Sequence, residues 1–171
     1  MKRIPTSLLW LAIALVGMAL VAGSFIMVAW LKLQPCPLCI AQRTLLMLMG
    51  VVALVAFFTH RNPAGRIAGG LAVLTALSGA AVAGYQVWMQ HQPANMFSCG
   101  ADTNFVEDIV YWLGQKVPVL FDAPGVCQDT SLLIFGYSLA VWALVAFAAC
   151  AVLGLWALLR RKRGPDTIAS H

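Results

Sequence analysis

The chain has 171 residues, enough for one compact domain, and is 61% hydrophobic with only 10% charged residues, where soluble domains carry about 25%. That balance excludes an ordinary water-soluble domain and points to a membrane protein. The net charge of +5 is no sign of nucleic-acid binding, because the lysines and arginines sit at the ends of apolar runs, as they do beside membranes, and no basic patch is interleaved with aromatics.

Lys2 and Arg3 precede residues 8–31, which carry no charge. At about 1.5 Å per residue such a run crosses a hydrocarbon core of about 30 Å as a tilted helix. A signal peptide is the rival reading. Its apolar region is only about 7–15 residues long and ends in a small-residue cleavage site, whereas this run is longer and Val21-Ala22-Gly23 is a poor site. A short loop, 32–38, follows. Pro35 and Pro37 disfavour helix before them and present Cys36 and Cys39 on a turn. The second helix is expected over 39–58 and the third over 67–89, joined by the basic turn His60-Arg61-Asn62-Pro63-Ala64-Gly65-Arg66. Ala76, Ala80 and Gly84 fall four apart on one face of the third helix, which permits close helix contact.

Residues 90–131 form the long polar segment, with Cys99, Cys127 and five acidic residues. Asn104 and Glu107 suggest a capping box. Phe105, Val106, Ile109, Val110, Trp112 and Leu113 then recur near helical spacing, with Glu107 and Asp108 opposite. A short helix lying along the membrane surface is expected there. The fourth helix is expected over 132–159, stopped by Arg160-Arg161-Lys162-Arg163. The fold class is therefore all-α: a four-transmembrane-helix bundle with a short interfacial helix in the second loop, as a single domain over 1–171.

Lysine and arginine placement sets the orientation. One side carries Lys2, Arg3, Arg61, Arg66 and 160–163, which makes 8; the other carries Lys32, Arg43 and Lys116, which makes 3. Both termini are expected in the cytoplasm, and both cysteine-bearing loops on the outer, oxidising side, the periplasm of a bacterium.

Of the five cysteines, Cys150 lies deep in an apolar run and reads as a packing residue. The other four suit an oxidising compartment. Cys36 and Cys39 can close a small ring, a type of pair that is usually redox-active because the ring adds little loop-closure stabilisation. A bridge between Cys99 and Cys127 would close a loop of 29 residues, counting both ends, and could be structural or open to exchange. Zinc is rejected because a ribbon needs two Cys-x-x-Cys hairpins, and c-type haem because Ile40, not histidine, follows Cys39.

Arg43 lies four residues after Cys39, on the same helix face and about one turn into an apolar run. An ionisable residue there is a functional candidate by default; the bland alternative is snorkelling to the headgroups. A guanidinium and a helix N-terminus both favour a thiolate, and the same charge would stabilise a reduced, anionic electron acceptor. His91, just past the third helix, is either structural or a hydrogen-bond or proton donor to such an acceptor. Gln42 and Gln86 are weaker candidates for polar contacts.

With Pro35-Cys36-Pro37-Leu38-Cys39 and Arg43, His91, Cys99, Cys127 and Phe135-Gly136 in these positions, nearly the whole chain resembles the disulfide bond formation protein B (DsbB) family. The resemblance implies an inner-membrane enzyme that reoxidises DsbA, a periplasmic thioredoxin-fold oxidase, and passes the electrons to ubiquinone or menaquinone. It implies that Cys99 is attacked by reduced DsbA, that Cys127 is its partner and can bridge transiently to Cys36, that Cys39 is the thiolate beside the quinone, and that Arg43 and His91 are quinone-proximal. One departure is Leu132, where some members carry tryptophan. Two other functions fit four spans with cysteines. A conduit carrying reductant outward needs cysteines reachable from the cytoplasm, which the charge rule does not provide. A non-catalytic protein with structural disulfides leaves Arg43 beside Cys39 unexplained.

Overall fold

The computed structural model describes residues 5–32, 36–92, 108–109, 112, 115–116, 133–134 and 136–162. Four long helices dominate them: α1 (Thr6–Leu31), α2 (Pro37–Phe58), α3 (Pro63–Gln90) and α4 (Leu139–Lys162). Each is long and apolar enough to cross a bilayer, with mean hydropathy between 1.8 and 2.5. The chain is thus a multi-pass membrane protein. Leu15, Ile26, Leu48, Val51, Leu74 and Val152 point outward from the bundle, an apolar girdle that only lipid can solvate.

Packing follows chain order. α2 lies between α1 and α3, α4 packs on α3, and α1 and α4 close the bundle through a smaller contact. Because lipid tails are as apolar as leucine, helices in a membrane gain by close approach rather than by escaping water. Ala72, Ala76, Gly79 and Ala83 form the buried stripe of α3. A Cβ on Gly79 would overlap the ring of Phe147 on α4, which is fully buried. The small-residue face of α3 thus runs through Ala72, Ala76, Gly79 and Ala83 and not through the expected Ala76, Ala80 and Gly84, since Ala80 and Gly84 are only half-buried; Gly79 is its tightest point.

The helix starts differ from the sequence expectation at three places, for local reasons. α2 begins at Pro37 with Cys36 as its N-cap, and α3 begins at Pro63 with Asn62 as its N-cap. Proline suits the first helical turn, whose N–H groups have no partner there in any case, so both prolines open helices instead of belonging to loops. α4 begins at Leu139, not 132, because a two-residue hairpin precedes it. Its strands β1 (Leu133–Ile134) and β2 (Tyr137–Ser138) pair antiparallel, with Leu133 opposite Ser138. Gly136 makes the turn at φ +82°, a conformation glycine adopts without strain.

In the long segment, Asp108, Ile109, Trp112, Gln115 and Lys116 are helical and exposed. They fall in the stretch where a surface helix was expected. Its capping box, Asn104 and Glu107, lies outside the described residues, as do Cys99, Cys127 and Leu132.

Candidate redox site at the α2–α3 end of the bundle

The first turn of α2 builds the cysteine pair. Cys36 sits at the N-cap in an extended conformation (φ −86°, ψ 162°), and its sulfur accepts from the backbone N–H of Cys39 at 3.4 Å. Its carbonyl accepts the first helical bond, from Ile40 N–H at 3.1 Å. Pro37 has no N–H to satisfy. This geometry brings the two sulfurs to 3.0 Å, with the Cys36 thiol donating toward Cys39. Both sulfurs thus lie at the positive end of the α2 dipole. The pair is not presented on an exposed turn. Cys36 is 4% exposed and packs with Leu38 and Met89, and with Val82 and Tyr85 of α3.

Into this apolar end project two amides. Gln86 continues the buried stripe of α3, three residues beyond Ala83, and Gln42 lies one residue before Arg43 on α2. Gln42 Nε2 donates to Gln86 Oε1 at 2.7 Å. Gln86 Nε2 in turn lies 3.3 Å from Cys39 Sγ and 3.6 Å from Cys36 Sγ. The sequence carried only a faint sign of this: two glutamines inside apolar runs, 44 residues apart.

Arg43 leaves α2 on the other side. Its Nε and Nη2 both donate to Ser24 Oγ of α1, and its guanidinium lies 4.3 Å from the centre of the Phe25 ring. Cys39 and Arg43 are one turn apart on α2, yet the sulfur meets α3 and the guanidinium meets α1. Arg43 lines an apolar groove of about 320 Å³ on the outer face of α1 and α2, with Phe25, Ile40, Met47, Leu48 and Val51. No acidic residue occurs in any of the four spanning helices. A guanidinium costs about 2.5–3.5 kcal/mol at the centre of a spanning helix and less toward its ends; Arg43 stands near the start of α2, where among the described residues the Ser24 hydroxyl and the Phe25 ring meet it.

His91 stands apart from this arrangement. It follows α3 as its C-cap, is exposed, and its Nδ1 lies 2.7 Å from the carbonyl oxygen of Val87 in its own last turn. The inward positions at this end of α3 are Gln86, Met89 and Gln90; Gln90 accepts from the hydroxyl of Ser138 at 2.7 Å, tying α3 to β2. No cluster of histidine, cysteine and acidic side chains able to hold a metal exists among the described residues.

The chain is similar to known proteins over most of its length. The family model for disulfide bond formation protein DsbB matches residues 6–157. A protein of Azoarcus sp. named disulfide bond formation protein B is 38% identical over 155 residues, covering 90% of this chain and 93% of its own length. Its namesake in Dechloromonas aromatica is 36% identical over 168 residues, covering 95% and 98%. Disulfide bond formation protein B 2 of Burkholderia lata is 39% identical over 153 residues, covering 85% and 84%.

Proposed function

Since the chain belongs to the DsbB family of disulfide bond formation proteins, we propose that it is a quinone-linked thiol oxidase that reoxidises a DsbA-like periplasmic partner. It sits in the bacterial inner membrane with both termini cytoplasmic, following the 8-to-3 excess of lysine and arginine on that side.

The observation that carries this reading is Arg43. It is a cation lining an apolar, lipid-facing groove, one turn from a redox-capable cysteine pair, in helices without an acidic residue. That combination fits ubiquinone or menaquinone. Phe25, Met47, Leu48 and Val51 suit an apolar ring and tail, and the guanidinium suits a carbonyl oxygen. When bound, a quinone supplies an acceptor for two electrons and two protons.

The chain's own chemistry is thiol exchange. The partner's thiolate attacks Cys99 of a Cys99–Cys127 disulfide; that bond breaks, a mixed disulfide forms, and Cys127 leaves as a thiolate. The partner's second thiol then closes its own disulfide and releases Cys99. The reduced Cys99–Cys127 pair next reduces a Cys36–Cys39 disulfide through a Cys127–Cys36 bridge, leaving Cys39 as the sulfur nearest Arg43. Each step needs access. A folded soluble partner reaches a long polar loop but not Cys36, which is 4% exposed. A lipid-soluble acceptor reaches the groove but not the loop. His91 is exposed at the end of α3 on the Val87 carbonyl, so the role proposed for it is exchange of a proton with solvent and not contact with the acceptor.

Trapping tests the order. With the partner's resolving cysteine replaced, its remaining thiolate should exchange with the oxidised Cys99–Cys127 pair, Cys127 leaving as the thiolate, and a Cys99-linked complex should accumulate on non-reducing gels. Cys39→Ser should still permit that first exchange while blocking quinone reduction. Linkage through Cys36 alone would overturn the assigned order.

A further inference from the structure

Four polar side chains are buried in the described part of the bundle: Gln42, Thr75, Gln86 and Ser138. Two have a local structural use. Thr75 bonds to the Leu71 carbonyl of its own helix at 2.8 Å, and Ser138 ties β2 to Gln90. The glutamines differ. Each loses side-chain freedom and hydration on burial, and two apolar residues of the same shape would pack α2 on α3 about as well. What the amides add is a donor aimed at sulfur.

As the amides are oriented in this structure, Gln42 Nε2 donates to Gln86 Oε1 at 2.7 Å, and the NH2 end of Gln86 faces the cysteines. That NH2 group has two hydrogens and two sulfurs within reach, at 3.3 Å and 3.6 Å. Were the amide reversed, its carbonyl oxygen would face Cys39, opposing any negative charge there. The surroundings are apolar, with Leu38, Met89 and Val82 around the pair, and a hydrogen bond in such a setting is stronger than in water.

We infer that Gln86 is a catalytic residue, donating to Cys39 when the pair is reduced, and that Gln42 is a positioning residue that sets the direction of the Gln86 amide. The inference rests on the pair being redox-active. When a protein dithiol reduces the Cys36–Cys39 disulfide, the S–S bond breaks and two electrons arrive from the dithiol, which becomes a disulfide. One of its two protons ends on Cys36 and the other goes to water. Cys39 is left as the thiolate, holding bonds from the Cys36 thiol and from Gln86 Nε2. The disulfide is a poorer acceptor than the thiolate, so the donor favours the reduced pair.

The test is a redox titration of full-length protein in detergent, with Cys99, Cys127 and Cys150 replaced by alanine so that one pair is read. Glutathione sets the poise, and thiol-specific mass tags count the reduced form. Methionine keeps the length and volume of glutamine without its polar atoms. Gln86→Met should lower the equilibrium constant for reduction about tenfold, as expected for a lost bond to a charged group, which corresponds to ~30 mV more negative for a two-electron couple. Gln42→Met should shift it about threefold in the same direction, since Gln86 keeps its donor but loses its orientation. The double variant should match Gln86→Met alone, because Gln42 acts only through Gln86. A merely structural pair would change the unfolding midpoint and leave the equilibrium constant alone. If Gln86→Met fails to fold, Gln42→Met decides. An unshifted Gln42→Met, an unshifted Gln86→Met, or additive effects in the double variant would overturn the inference. Failure of the wild-type protein to reduce quinone would instead overturn the proposed function, and the titration would still give its own answer.

Discussion

Arg43 places two of its N–H groups on a single oxygen of the neighbouring helix, Ser24 Oγ, from Nε at 3.1 Å and from Nη2 at 2.8 Å. One hydroxyl thus fixes the plane of the guanidinium across the α1–α2 seam, and the Phe25 ring at 4.3 Å covers one face. The groove below it is mostly apolar, so a ligand entering from lipid would meet Arg43 as its charged group, with the Thr44 hydroxyl beside it committed to the Ile40 carbonyl.

Arg43→Ala should therefore raise the KM for quinone or lower kcat by at least tenfold, and leave Cys36, Cys39, Cys99 and Cys127 able to form disulfides. Arg43→Lys should be impaired but milder, since an ammonium keeps the charge without the planar fork. Ser24→Ala should raise the quinone KM a few-fold at nearly unchanged kcat, through loss of orientation alone. Steady-state quinone kinetics on the three purified variants checks the order. Wild-type kinetics in both Arg43 variants would mean that the guanidinium only snorkels.

The close approach of α3 and α4 sets a second expectation. Gly79 lies under the fully buried Phe147 ring, while a Cβ at Gly84 would meet only Leu144 Cδ1 at 3.9 Å. Gly79→Leu should destabilise the bundle by about 1–3 kcal/mol through overpacking. Gly84→Ala should stay within about 0.5 kcal/mol of wild type. Denaturant titrations in detergent measure both, and equal effects would contradict the packing described.

Topology is open to labelling. Single cysteines placed at Arg61 and in the C-terminal tail should react with impermeant thiol reagents only after the inner membrane is opened. Cys99 should react in intact spheroplasts after reduction. An externally accessible turn at 60–66 would invert the orientation.

Much of this arrangement was legible in the sequence. Long apolar runs are physically committed to spanning, and four such helices are found. Cys36, Cys39 and Arg43 announced themselves because each is unusual at a membrane edge. What was not legible depends on contacts between distant segments or on local backbone geometry. Gln86 reaches Cys36 across 50 residues, and no spacing rule brings α3 to the first turn of α2. His91 seemed the better candidate on chemistry, but α3 runs on to Gln90 and leaves its ring exposed on the Val87 carbonyl. Leu133 and Ile134 read as part of the fourth spanning helix because hydropathy does not separate a short hairpin from a helical turn. Gly136 was the local signal for that hairpin. Pro37 and Pro63 were assigned to loops, although each can open a helix as readily as end one.

The most direct measurement is anaerobic reduction of a soluble quinone analogue by the purified protein, with reduced DsbA as electron donor. One quinone should be consumed for each DsbA disulfide formed, with no oxygen required, and the reaction should vanish in Cys39→Ser. DsbA oxidation that proceeds without quinone consumption, or quinone loss that survives Cys39→Ser, would contradict a relay from the Cys99–Cys127 pair, through the Cys36–Cys39 pair, to an acceptor at Arg43.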